Sequence, residues 1–250
     1  MSATTDQIRL LEDLGAQTWP AMRTVPIEGW KLGLDIGVTR RANSVLPNAP
    51  APPSDPETLI DQVERRYRAQ DLVPCFKMTD VAQPLDLDRR LERRGYRAEG
   101  FSLVLVGKTT QLTHRSTGTA AIDHDNHPTS DWLAACWPAD QERDARQLIA
   151  ERVPQPRVFA LAWLDGVAAG AALAAICHDW AVLTAVHTLP MFRRRGIGRG
   201  LLSALISWAE SKRISDIFLQ VEADNLAARR LYAELGFTEA YSYHYLTAPK

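Results

Sequence analysis

The sequence predicts an α+β fold, with helices and strands interleaved in two related modules. Three observations carry this. Segments alternating apolar and polar residues, or running apolar between turn signals, take turns with segments whose apolar residues recur three and four apart. Asp165-Gly166 between two apolar runs marks a hairpin inside a three-strand antiparallel series. Finally, "RRLERRGYRAEGFSLVLV" (Arg89 to Val106) resembles "RRLYAELGFTEAYSYHYL" (Arg229 to Leu246) with one residue inserted.

The elements follow in order. Ile8 to Leu14 begins a first helix, and "GWKLGLDIGV" reads as a strand. "LPNAPAPPSDP" holds five prolines, which forbid regular structure there. Ser54 or Asp55 caps the next helix, with Pro56 in its first turn and Glu57 near the positive end of its dipole. That helix places Leu59, Ile60, Val63 and Tyr67 on one face. "VPCFKMT" is a strand, "PLDLDRRLERRGY" a helix stopped by Gly95, and "FSLVLV" a strand.

Gly107 to Ser130 is rich in Thr, Ser, His, Asp and Gly, and reads as a linker or long surface connection. "HDNHP" within it has two histidines and one acid but no further ligand placed nearby, so it reads as a solvated loop rather than a metal site. "DWLAACW" and "DQERDARQLIAERV" are helical. Three antiparallel strands follow, turning at Asp165-Gly166 and at His178-Asp179. After them come a helix burying Leu201, Leu202, Leu205, Ile206 and Ala209, the strand "DIFLQVE", a helix ending at Gly236, and the strand "YSYHYLT".

Composition narrows the function. The 250 residues are 46% hydrophobic and 24% charged, ordinary for a globular chain. A net charge of −1 leaves no broad basic field for nucleic acid or an anionic membrane. Cys75, Cys136 and Cys177 are far apart and lack C-x-x-C spacing, which fits a reducing cytosol. The N-terminus lacks an apolar signal core, and "VAAGAALAAIC" is too short to span a bilayer. A cytoplasmic protein with no metal, nucleic-acid or membrane partner is expected.

The chemistry concentrates in "MFRRRGIGRG", Met191 to Gly200, between a strand and a helix. A helix N-terminus exposes unpaired amides and a partial positive charge. Glycines let a phosphate approach the backbone, and arginines add charge-assisted hydrogen bonds. The stretch lacks the Lys-Ser or Lys-Thr of a P-loop, and Leu201 stands where a dinucleotide fingerprint needs its third glycine. Arg193, Gly196 and Gly198 do supply R-x-x-G-x-G.

With that motif the chain resembles the GNAT superfamily of N-acetyltransferases. "VHTLPMFRRRGIGRGLL" is similar to the family's strand, Pro, loop and helix. "LQVEADNLAARRLYAELGF" is similar to its later strand, Asn, Tyr and Gly-Phe helix. Val158 to Tyr245 is covered well and Trp132 to Val153 loosely. The resemblance implies the GNAT fold, a mixed central sheet flanked by helices. It further implies a degenerate GNAT-like module over residues 1–110, a linker over 111–129 and an acetyl-CoA-binding catalytic domain over 130–250. The first module has no R-x-x-G-x-G and fills the equivalent loop with prolines.

The resemblance also implies acetyl-CoA as donor and a primary amine as acceptor. That amine belongs to a small molecule, a peptide or protein N-terminus, or a lysine; a homodimer is left open. Backbone groups of Val186, His187 and Thr188 would hold pantetheine and polarise the thioester carbonyl. Arg193, Arg194, Arg195, Gly196, Ile197, Gly198 and Arg199 would hold the pyrophosphate, and Asn225 the cofactor arm. Tyr232 would protonate the leaving thiolate, since its free pKa near 10 keeps it a donor at neutral pH. The strand before the loop has no acid, so His187 and Glu222 are both candidates for the base.

Overall fold

A computed structural model gives the fold over residues 3–113, 120–138 and 141–249. The chain divides into two compact units, Met1–Leu103 with Tyr241–Lys250, and Val104–Ala240.

In the first unit, α1 (Thr5–Thr18) begins where the Thr4 hydroxyl accepts the Gln7 amide at 3.3 Å. Strands β1 (Arg23–Ile27) and β2 (Trp30–Leu34) form an antiparallel hairpin through Glu28 and Gly29, with φ of 43° and 83°. The sequence reading misses β1, because its residues are largely exposed and it contains Pro26, as an edge strand can. Strand β3 (Val45–Leu46) is antiparallel to β2 and leads through the proline loop to α2 (Pro56–Arg68). Strand β4 (Cys75–Met78) runs parallel to β3. Then come α3 (Leu87–Arg93) and β5 (Arg97–Lys108). The α2 face expected from its periodicity, Leu59, Ile60, Val63 and Tyr67, is fully buried beside Trp30 and Phe76.

This unit is completed by the end of the chain. Residues 241–247 of β11 (Thr238–Thr247) pair antiparallel with β4, from His244↔Met78 to Thr247↔Cys75. The alternation of "YSYHY" buries Tyr241, Tyr243 and Tyr245. Beside them sits a buried ion pair, Lys77 Nζ to Glu12 Oε2 at 2.7 Å, with side chains 4% and 0% exposed. Tyr241 donates to Glu12 Oε1 at 2.8 Å, and Lys77 Nζ lies 3.8 Å from the Tyr243 ring centroid.

The second unit contains β6 (Ala121–Asp125), α4 (Ser130–Cys136), α5 (Arg143–Arg152), β7 (Arg157–Leu164), β8 (Val167–Cys177), β9 (Trp180–Thr188), α6 (Ile197–Ser211), β10 (Asp216–Glu222) and α7 (Leu226–Leu235). Strands β6 to β9 form an antiparallel series, and β10 is parallel to β9. The Val104–Lys108 end of β5 lies beside β10. Both expected turns occur, with positive φ at Asp165, Gly166 and His178.

The linker expected over Gly107–Ser130 is corrected where it is described. Strand β5 runs on to Lys108, a 3-10 turn covers Thr109–Gln111, and Ala121–Asp125 is the edge strand β6. Polar side chains suit an edge that has one solvated side, which is why composition reads as linker. Residues 114–119 lie outside the described residues.

The series β1-β2-β3-α2-β4-α3-β5 and β7-β8-β9-α6-β10-α7-β11 have the same order. Their first three strands are antiparallel neighbours, and the fourth is parallel to the third. The repeat seen between Arg89–Val106 and Arg229–Leu246 is therefore the end of a whole repeated topology.

Removing one member of the buried pair leaves the other charge uncompensated. Lys77→Met is expected to lower stability by about 3–5 kcal/mol. The double change Glu12→Leu with Lys77→Met recovers most of that loss. Urea unfolding curves of the two variants check this.

Candidate active site

Parallel pairing of β10 with β9 runs from Asp216↔Trp180 to Leu219↔Leu183. Beyond it, β9 carries an extra residue. Its partners on β8 step from Leu173 to Ala171 while β9 steps from Thr184 to His187. Ala185 sits at the insertion with a left-handed φ of 54°, a conformation that costs a non-glycine residue roughly 1–2 kcal/mol. The bulge bends β9 where its pairing with β10 ends, and Val186, His187 and Thr188 lie past that point.

Gly170 makes this arrangement possible from β8. A Cβ there would stand 2.6 Å from the His187 carbonyl oxygen and 2.9 Å from Ile197 Cγ2. Only a glycine lets β8, β9 and the start of α6 approach so closely. Sequence reasoning misses Gly170 inside an alanine-rich strand; an isolated glycine in a strand is the signal that flags it.

The loop after β9 begins with a 3-10 turn, Pro190–Phe192, tied back by the Leu189 amide to Ala169 O at 3.0 Å. Arg194 and Gly196 then take φ of 64° and 79°. Helix α6 starts at Ile197 with no side-chain cap and no acid in its first turn. Its first backbone bond runs from Gly200 N to Gly196 O, so the amides of Ile197, Gly198 and Arg199 precede the helical ladder. A Cβ on Gly196 would meet nothing within 4 Å, so the space in front of the helix is open. Arg194 and Arg195 are exposed there.

The remaining predicted residues are placed as follows. Arg193 donates to Thr188 O at 3.4 Å, which braces the loop against β9. Arg199 pairs with Glu234 at 2.5 Å and so ties α6 to α7. Asn225 caps α7, its Oδ1 accepting the Ala228 amide at 3.1 Å. Its Nδ2 and the second lone pair of Oδ1 are not used by that cap. Glu222 is exposed at the end of β10. Tyr232 is buried on α7, edge-on to Phe237. Burial pushes its hydroxyl up to about 12, so it stays protonated throughout the neutral range. His187 is half-buried, its Nδ1 3.0 Å from Ala135 O on α4.

The first unit offers a contrast at the equivalent point. Helix α2 is capped by Asp55, whose Oδ1 accepts the Thr58 amide at 3.1 Å, as the sequence leads one to expect. Those hydrogen bonds from Thr58 hold the Asp55 carboxyl below its ordinary value. Pro56 at the first position has no N–H, and Glu57 adds a second acid. The site where α6 presents free donors is occupied in α2 by the chain's own carboxylates. Glu57 is itself held by Arg90 of α3 and by Arg94, the residue that caps the C-terminus of α3, at 2.8 and 2.7 Å.

A bulged strand leading into an uncapped, glycine-started helix within this topology defines a GNAT-type N-acetyltransferase. Residues 5–246 match the family model described as "Probable histone acetyltransferase Rv0428c C-terminal", and the chain belongs to that family. It is 26% identical over 246 residues to "Uncharacterized N-acetyltransferase YobR" of Bacillus subtilis, covering 96% of this chain and 98% of that protein. It shares its fold with a GCN5-related N-acetyltransferase from Kribbella flavida, with a TM-score of 0.72, 17% identity, and 100% and 97% of the two chains covered. A tandem GNAT protein from the clavulanic acid biosynthesis pathway aligns with a TM-score of 0.67 and 12% identity, over 100% of this chain and 91% of its own. The chain is an acyltransferase of GNAT type. Among the described residues no helix is long and apolar enough to cross a membrane.

Gly170→Ala places a methyl group against backbone that has nowhere to go. It is expected to cost about 1–3 kcal/mol in unfolding free energy and to weaken the acetyl-CoA binding proposed below, because it pushes β9 and the start of α6 away from β8. Thermal unfolding with calorimetric titration of the variant measures both.

Proposed function

We propose that the second unit transfers the acetyl group of acetyl-CoA to a primary amine by direct attack on the thioester. The observation that carries this reading is the start of α6, where uncapped amides open onto free space beside exposed arginines. Such a terminus suits a pyrophosphate through hydrogen bonds and the helix dipole together. The residues present therefore fit the cofactor. Ile197, Gly198 and Arg199 offer amides, Arg194 and Arg195 offer guanidinium groups, and Val186, His187 and Thr188 lie where β9 leaves β10. When bound, acetyl-CoA supplies an activated acetyl carbonyl. An N–H of the Val186–Thr188 segment polarises that carbonyl, stabilising the charge that develops on its oxygen. Tyr232 donates its proton to the departing sulfur.

The first unit, in this reading, is a GNAT-like module that no longer binds the cofactor. Asp55, Pro56 and Glu57 support that assignment, because an incoming pyrophosphate would meet two carboxylates and a missing donor at α2. The chain then functions as a degenerate module followed by a catalytic one, and a small-molecule, peptide or protein amine is the acceptor. A net charge of −1 fits a localised anion site, and the widely spaced Cys75, Cys136 and Cys177 fit a cytoplasmic setting.

Calorimetry should give one acetyl-CoA per chain; two would refute the degenerate first module, and none would refute the acetyltransferase reading. Gly198→Glu should abolish binding, since its side chain would start 3.2 Å from Leu231 Cδ2 and 3.7 Å from Thr188 Oγ1, crowding the helix start and adding negative charge there; wild-type affinity in this variant would remove the loop assignment. Tyr232→Phe should lower kcat by about 10²-fold with little change in cofactor affinity. A screen over an amine library that follows CoA release identifies the acceptor for that measurement.

A further inference from the structure

A histidine can serve as a base only through the ring nitrogen that carries its lone pair, and the surroundings of His187 fix which one that is. Its Nδ1 lies 3.0 Å from the carbonyl oxygen of Ala135. A carbonyl only accepts, so Nδ1 carries hydrogen and the neutral ring is basic at Nε2. Ala135 stands in the last turn of α4, past the Leu133 carbonyl that accepts the Trp137 amide. Carbonyls at that end of a helix have no partner in its own ladder, so the ring N–H fills a place the helix leaves open. The hydrogen bond persists when Nε2 gains a proton, because both nitrogens then donate.

The β9 bulge aims the ring. Thr184 pairs with Leu173 and His187 with Ala171, and residues two apart on β8 share a face. His187 therefore lies on the same face as Thr184, although it is three positions further along the strand. Plain alternation would place it on the other face. The inserted Ala185 turns this side chain toward α4, while the neighbouring backbone groups of Val186 and Thr188 remain where β9 leaves β10. His187 is half-buried as a residue, and its hydrogen bond to Ala135 uses only the Nδ1 edge of the ring. Strand β9 contains no acid, and Glu222 is solvated at the end of β10.

We propose that His187 is the general base, with Nε2 accepting the proton of the acceptor ammonium. This rests on the acetyltransferase reading above. His187 takes one ammonium proton, and the freed amine forms a bond to the acetyl carbonyl carbon. The carbon–sulfur bond breaks and its electron pair stays on sulfur. Tyr232 gives its proton to that sulfur and is restored by the second proton of the acylated nitrogen. His187 then releases the first proton to solvent. The sum is ammonium plus acetyl-CoA giving amide, CoA thiol and one proton.

The test uses the ¹⁵N-labelled full chain, with the His187 ring identified by its loss from the spectrum of His187→Gln. Long-range ¹H–¹⁵N spectra are expected to give the Nδ1–H tautomer. Saturating acetyl-CoA is expected to move the Nε2 signal and its adjacent ring protons, and CoA without the acetyl group to move them less. A ring in the Nε2–H tautomer, or one unmoved by acetyl-CoA, would overturn the proposal. Calorimetry on the same samples separates the two readings. If acetyl-CoA binds and the ring does not move, only the base assignment falls. If acetyl-CoA does not bind up to millimolar concentration, the acetyltransferase reading falls and takes the base with it.

Discussion

One residue inserted into β9 sets the chemistry available to the second unit. Three residue steps of β9, from Thr184 to His187, run against two of β8, from Leu173 to Ala171. The insertion forces Ala185 into a left-handed conformation and coincides with the end of pairing to β10. It also reverses the side-chain alternation beyond it, which is why His187 faces α4 and finds the Ala135 carbonyl. The glycine at position 170 is the matching concession on β8, since any side chain there would meet the His187 carbonyl. The direction of the histidine is thus a consequence of a local misfit between two adjacent strands.

The two units show how a repeated topology is specialised at few positions. Both place a helix after the third strand of an antiparallel series. In α6 that helix starts on Gly196, with neither side-chain cap nor acid. In α2 it starts on Asp55, Pro56 and Glu57. An N-terminal carboxylate stabilises its own helix and satisfies a donor, but it removes the site for an external anion. The first arrangement favours a ligand and the second favours the fold. The same trade appears in the charges between helices, where α2 uses Glu57 to hold Arg90 and Arg94 while α6 uses Arg199 to hold Glu234.

The first unit also depends on residues that sequence order assigns elsewhere. Its strand β4 pairs with β11, the last strand of the chain. The buried pair of Glu12 and Lys77 gains its third partner from Tyr241. Two charges removed from water need further partners, and here Tyr241, more than two hundred positions away in the chain, donates to the Oε1 of Glu12. Linear reading assigns β11 to the module that precedes it, because the repeat at Arg229–Leu246 ends there.

The sequence by itself determined what local chemistry controls. Turns at Asp165-Gly166 and His178, the cap at Asp55, the buried stripe of α2 and the glycine-arginine loop all follow from residues within a few positions of one another. Side-chain preference and backbone sterics act at that range, so the glycine-arginine loop is legible in one short stretch. Edge strands β1 and β6 escaped it, because an edge carries polar residues and a proline that read as loop. The tertiary structure alone decided which strand completes the first unit, that Asn225 spends its carbonyl on capping α7, and that Arg199 is tied to Glu234. It also decided the direction of His187. Strand alternation predicts a face only when register is unbroken, and the bulge that breaks it is fixed by how β8, β9 and α6 pack together around Gly170.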